Sequence, residues 1–161
     1  MIIKNVKVYT EEQKFTDGEI VIRDGVIEDS QVVSGVSAKP EDGEEVLDGE
    51  GCYAIPGLID LHFHGCMGYD FCDGTKEAIE EIAKYEASIG VTAISPATMT
   101  LPVEELEKIL AVAAEYREEA GKRAKEEGSK EADLIGVNME GPFISVEKKG
   151  AQDERKIITC N

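Results

Sequence analysis

Apolar and polar residues alternate along the first fifty positions and recur at helical spacing afterwards, so the pattern predicts two kinds of structure in one chain. Lys4-Asn5-Val6-Lys7-Val8-Tyr9-Thr10 alternates as a half-buried strand. Residues 18–27 read as two strands hinged on Asp24-Gly25, a dipeptide suited to a two-residue hairpin turn. Residues 30–45 are polar, with one Pro and two Gly, and read as a loop around a short strand at Gln31-Val32-Val33. Residues 1–52 are therefore expected to form a small antiparallel β domain, with too few apolar positions for a large core of its own.

From residue 53 the expected order is strand, helix, strand, helix, strand. Residues 53–61 form an apolar run that fits a strand buried on both faces of a parallel sheet. Asp73 or Thr75 can cap a helix whose apolar positions Ala78, Ile79, Ile82, Ala83 and Ile89 share one face, with Gly90 as its stop. Residues 91–98 give a second strand. Pro102 then opens a helix with Val103, Leu106, Ile109, Leu110 and Ala113 on one stripe; its continuation over 115–128 is nearly all charge and Ala and reads as solvated. Residues 134–139 form a third strand that ends in Glu140-Gly141-Pro142. Such units in series predict an α/β fold with a parallel sheet. A parallel sheet that stops after three strands leaves open edges, so the expectation is a piece of a longer protein.

Composition narrows the function. The 161 residues are 42% hydrophobic, enough for a buried core. With 17 basic and 34 acidic residues the formal net charge is −17, which argues against nucleic acid or an anionic membrane as partner. No apolar run is long enough to span a bilayer, and residues 1–10 lack the character of a signal peptide. Cys52, Cys66, Cys72 and Cys160 show no Cys-x-x-Cys spacing, so free thiols in a reducing cytoplasm are expected.

The candidate chemistry lies at the strand ends. His62 and His64 are the only histidines, and two residues apart on an extended segment their imidazoles face the same way, as ligands of one ion would. Two ligands do not complete a catalytic metal site, which generally takes three protein ligands and a water. Glu140 is the best third candidate, because a carboxylate ending a buried strand must pair, titrate or bind metal. Cys66 and Cys72 lie near the histidines, but their irregular spacing disfavours them as ligands. Asp60, Asp70 and Asp73 read as structural or capping residues.

Residues 56–65, Pro-Gly-Leu-Ile-Asp-Leu-His-Phe-His-Gly, resemble the first barrel strand of the amidohydrolase superfamily. Asp70-Phe71-Cys72-Asp73-Gly74, Thr98-Met99-Thr100, residues 136–143 (Gly-Val-Asn-Met-Glu-Gly-Pro-Phe) and Lys149-Gly150-Ala151-Gln152 look like the N-acetylglucosamine-6-phosphate deacetylase family. The resemblance covers the whole chain. It implies the first three strands of a (β/α)8 TIM-type barrel over residues 53–161, with the N-terminal unit as part of a small β-sandwich. It also implies hydrolysis of the acetamide of N-acetylglucosamine 6-phosphate to glucosamine 6-phosphate and acetate. The expected cofactor is zinc or iron, as one or two ions. Glu140 would bind one ion with histidines from later strands, and His62 and His64 would bind a second. Residues at Ala151 and Gln152 would lie by the sugar, although Gln152 stands where several relatives have His. The general-base Asp belongs to the last barrel strand, beyond residue 161, so these 161 residues are expected to be inactive alone and the complete enzyme to be a cytoplasmic homodimer. Alternatives are an amidohydrolase of the dihydroorotase or allantoinase type, acting on a cyclic amide, and a non-catalytic metal-binding module.

Overall fold

The computed structural model describes residues 1–31 and 38–159, and the chain divides into two compact units between Pro56 and Gly57. The first unit contains β1 (Ile2–Tyr9), β2 (Phe15–Arg23), β3 (Val26–Gln31), β4 (Val46–Asp48) and β5 (Tyr53–Ala54). β1 and β2 pair antiparallel, as do β2 and β3. Asp24 and Gly25 both hold positive φ, 50° and 73°, the backbone twist that a tight hairpin requires. Val32 and Val33, expected to form a short strand, lie outside the described residues.

The sheet is mixed rather than wholly antiparallel. β4 and β5 both pair with β1 in parallel, Val46 opposite Ile2 and Tyr53 opposite Lys7. A long connection brings residues 46–54 back along the free edge of β1 in its own direction, which hairpin signals cannot anticipate. Ile2, Val6, Val8 and Val21 are buried in this unit, as alternation predicts.

The second unit begins with β6 (Leu58–Asp60), followed by β7 (Gly65–Cys66) and β8 (Tyr69–Asp70). After a short 3-10 turn at Phe71–Asp73 come α1 (Lys76–Ser88), β9 (Val91–Ile94), β10 (Ala97–Thr98), α2 (Val103–Glu127), β11 (Asp133–Leu134) and β12 (Asn138–Met139). Thr75 caps α1 by accepting the Ala78 N–H at 3.2 Å, while Asp70 and Asp73 form a reciprocal capping box around the 3-10 turn. The sheet order is β11-β9-β6, all parallel, and β10 pairs parallel with β12 farther along. Ser95 N–H to Asp60 O (2.8 Å), Ala97 N–H to Phe63 O (2.7 Å) and Asn138 N–H to Pro96 O (2.9 Å) carry the pairing across the gaps. Three parallel strands thus run side by side beyond their regular ladders.

Phe71, Ile79, Ile82, Ala83, Val91, Ile94, Ile109, Ala113, Tyr116, Ala132 and Leu134 form one core between the sheet and the two helices. Each large side chain removed from water there contributes about 1.5–3 kcal/mol before entropy is counted. Tyr116 departs from the sequence reading, because it is buried within the segment expected to be solvated. It continues the stripe of Ile109 and Ala113, and its hydroxyl donates to the Glu131 carboxylate. The run expected to be buried on both faces is also different: Leu58, Ile59 and Leu61 are 51%, 58% and 60% exposed. β6 is an edge strand among the described residues, paired only with β9, so one flank has no neighbour.

Candidate metal centre

His62 and His64 follow β6, Thr98 ends β10 and Glu140 follows β12 directly. All three strands point their C-terminal ends the same way, so their last side chains converge. His62 Nε2 stands 3.6 Å from Glu140 Oε2, and His64 Nε2 stands 3.4 Å from the same oxygen. One donor atom from each of the three residues falls within 4.8 Å of the others. The imidazole centroids are 5.5 Å apart with their planes at 81°.

Those separations exceed good hydrogen bonds but suit a shared ion. Donors about 2.0–2.1 Å from a tetrahedral zinc are about 3.3 Å from one another, close to both measured gaps. The donor set, two imidazoles and a carboxylate, is also that of an open catalytic zinc site. His64 Nδ1 is buried and makes no hydrogen bond among the described residues.

Glu140 is held by its main chain. Its N–H donates to Thr98 Oγ1 at 3.2 Å, and its carbonyl accepts from Thr100 Oγ1 at 2.9 Å. Thr98 and Thr100 are buried, so these bonds are shielded from water. Gly141 follows at φ 100°, and a Cβ there would stand 2.1 Å from Thr100 Oγ1. The strand therefore turns away immediately after the carboxylate, through a residue without a side chain.

Around the histidines, Asp60 Oδ1 accepts the His62 N–H at 3.0 Å, and Asn138 Nδ2 lies 3.0 Å from His62 Nδ1. Burial pushes the Cys66 and Cys72 thiols up, with the Glu86 charge adding to the first. Thiols kept protonated make poor ligands, and Cys72 Sγ instead accepts the Met99 N–H at 3.2 Å.

The pair expected near a substrate is split. Gln152 is buried, its Oε1 accepting the Thr100 N–H at 2.7 Å, and its Nε2 is 3.8 Å from Met99 Sδ. Ala151 is exposed. Gln152 thus braces the same segment that holds Glu140. Sequence reasoning missed Thr98, Thr100 and Asn138 as parts of the site. Period-two spacing carried the signal, because Asn138 precedes Glu140 by two and Thr98 and Thr100 are two apart at a strand end.

No protein-family model matches the chain. Among curated proteins, the N-acetylglucosamine-6-phosphate deacetylase of Vibrio furnissii is 36% identical over 97 residues, 60% of this chain and 22% of its own length. The enzyme of that name from Bacillus subtilis is 29% identical over 157 residues, 98% of this chain and 38% of its own. Among solved structures, N-acetylglucosamine-6-phosphate deacetylase from Thermotoga maritima matches with a TM-score of 0.75 at 28% identity, over all of this chain and 38% of that one. The chain spans less than two fifths of the length of these relatives.

Proposed function

We propose that this chain, a relative of N-acetylglucosamine-6-phosphate deacetylases, carries the metal-holding share of an enzyme that hydrolyses the acetamide of N-acetylglucosamine 6-phosphate to glucosamine 6-phosphate and acetate. One observation supports it most: His62 Nε2 and His64 Nε2 approach a single Glu140 oxygen at 3.6 and 3.4 Å, at the C-terminal ends of parallel strands. His62, His64 and Glu140 would hold one divalent ion, zinc or iron. A divalent ion at this point would supply hydroxide near neutrality and polarise the amide carbonyl.

The chain's own residues contribute position. Thr98, Thr100 and Gln152 fix the backbone at Glu140, so the carboxylate needs little reorganisation to meet an ion. Ala151, on the exposed turn before the buried Gln152, is our candidate for a sugar contact, and Gln152 for its support. Asp60 accepts the His62 N–H, and Asp70 and Asp73 serve the 3-10 turn, so these three have structural roles. The complete enzyme is proposed to be a cytoplasmic homodimer with (β/α)8 architecture; because Tyr53–Ala54 pairs with β1, the boundary expected at residue 53 moves to 57, residues 57–161 forming its first three strands and residues 1–56 part of its small β domain. Among the described residues no helix is long and apolar enough to cross a membrane.

The test is a deacetylation assay on N-acetylglucosamine 6-phosphate with the 161-residue chain and with its full-length parent. Turnover by the parent, abolished by a chelator and restored by zinc or iron, is expected, with none from the 161 residues. Turnover that survives thorough chelation would overturn the proposal.

A further inference from the structure

Gln152 is a polar side chain with almost no access to water. It is 2% exposed, and a buried amide is costly unless its ends find partners. Its Oε1 accepts the Thr100 N–H at 2.7 Å, while its Nε2 faces Met99 Sδ at 3.8 Å, a weak acceptor. Two bonds close its turn: the Gln152 N–H donates to the Lys149 carbonyl at 3.1 Å, and Lys149 Nζ donates to the Gln152 carbonyl at 2.9 Å. The residue is thus held by its own backbone, and its strongest side-chain bond goes to one strand-end peptide. That peptide leads to the metal centre. Thr100 Oγ1 donates to the Glu140 carbonyl at 2.9 Å, and Thr98 Oγ1 accepts the Glu140 N–H at 3.2 Å. Both peptides flanking the Glu140 Cα therefore hang on the buried Thr98–Thr100 segment, and the carboxylate beyond them meets His62 and His64.

We propose that Gln152 is a positioning residue for the metal centre: acting through Thr100, it raises the affinity of His62, His64 and Glu140 for a divalent ion, whether or not a sugar is present. What position 152 must supply is an acceptor for the Thr100 N–H. Without one, that N–H is left buried and unpaired, or the segment shifts to satisfy it and carries Thr100 Oγ1 along. The Glu140 carbonyl then loses its donor, and the carboxylate its fixed point of departure. A zinc ion held at about 2.0–2.1 Å tolerates little displacement of a ligand. Removing an outer partner that orients a ligand typically weakens metal binding about 10–100-fold. The inference rests on the reading of His62, His64 and Glu140 as metal ligands, and gives a metal role to a residue expected beside the sugar.

Zinc titration of the 161-residue chain with no sugar present reads the effect. Gln152→Met keeps the length and bulk of the side chain but lacks the acceptor oxygen, and should weaken zinc binding about tenfold. Thr100→Val keeps the shape and lacks the hydroxyl, with a similar loss expected. Because one residue acts through the other, the double variant should also lose about tenfold, rather than about a hundredfold. Unchanged zinc affinity in a Gln152→Met chain that folds by circular dichroism, or a hundredfold loss in the double variant, would overturn the proposal. Amide exchange in the unmutated chain requires no variant to fold. If the Gln152–Thr100 bond favours zinc, zinc favours the bond by the same factor, so added zinc should slow exchange at the Thr100 N–H about tenfold more than at Ala83 in the middle of α1. Equal slowing at both would overturn the proposal as well. If zinc binds no chain at all, the ligand reading falls and this role falls with it. If the unmutated chain binds zinc and Gln152→Met binds it as tightly, the ligand reading stands and the role of Gln152 alone falls.

Discussion

Replacing Gly141 by Ala should damage both the fold and the metal centre, and the structure gives the size of the effect. The residue sits at φ 100°, where a non-glycine backbone costs about 1–3 kcal/mol. The new Cβ would also meet Thr100 Oγ1 at 2.1 Å, Thr100 Cβ at 2.9 Å and Cγ2 at 3.1 Å. Relief requires Thr100 to move, which breaks the 2.9 Å bond from its hydroxyl to the Glu140 carbonyl and costs about 1 kcal/mol more. Together the loss is about 2–4 kcal/mol. Urea unfolding followed by circular dichroism, with an unchanged m value, measures it. Thr100→Ala removes Oγ1 and Cγ2, so the double variant should be more stable than the two single losses predict, by about 1 kcal/mol. A Gly141→Ala chain within about 0.5 kcal/mol of the unmutated one, or strictly additive losses, would show that neither the φ strain nor the Thr100 clash is present.

Two further substitutions probe the second unit's core. Tyr116→Phe deprives the Glu131 carboxylate of a buried donor and should cost about 1–2 kcal/mol by the same unfolding assay. Burial, then the Glu131 bond, pushes the Tyr116 phenol up, so the unfolded chain ionises first; the parent's advantage over Tyr116→Phe should be full below about pH 10 and shrink above it. Burial, then the Asp60 charge, raises the Glu86 carboxyl, so its ionised form opposes folding. Glu86→Gln should therefore raise the melting temperature near pH 7, and the gain should fade as pH falls through the raised folded-state value and vanish well below 4.5, where the carboxyl is protonated in both states. A gain that persists unchanged at low pH would contradict that cause.

Local signals carried much of this architecture. The Asp24-Gly25 hairpin, the Thr75 cap, the α1 stripe through Ile79 and Ile82, and the strand-ending His62, His64 and Glu140 all depend on neighbours within a few residues. What escaped depends on distant partners. Parallel docking of β4 and β5 on β1 joins residues about forty-five apart, and no period records it. Tyr116 looked solvated because its neighbours are charged, yet its helical phase with Ile109 and Ala113 carries it inward. Residues 53–61 read as buried from hydrophobicity alone, whereas β6 lacks a partner on one flank among the described residues. At the site, residue types pointed to ligands, but the bracing by Thr98, Thr100 and Gln152 and the contact of Asn138 with His62 cross between segments distant in sequence, which no local pattern records.

Zinc binding by equilibrium dialysis with elemental analysis, on the unmutated chain and on Glu140→Gln, shows whether His62, His64 and Glu140 form a metal centre. About one zinc per chain is expected for the unmutated chain. In Glu140→Gln, with its fold intact by circular dichroism, affinity should fall by more than about tenfold, because the charged oxygen facing both imidazoles is gone. Equal zinc content and affinity in the two chains would contradict a centre built on Glu140.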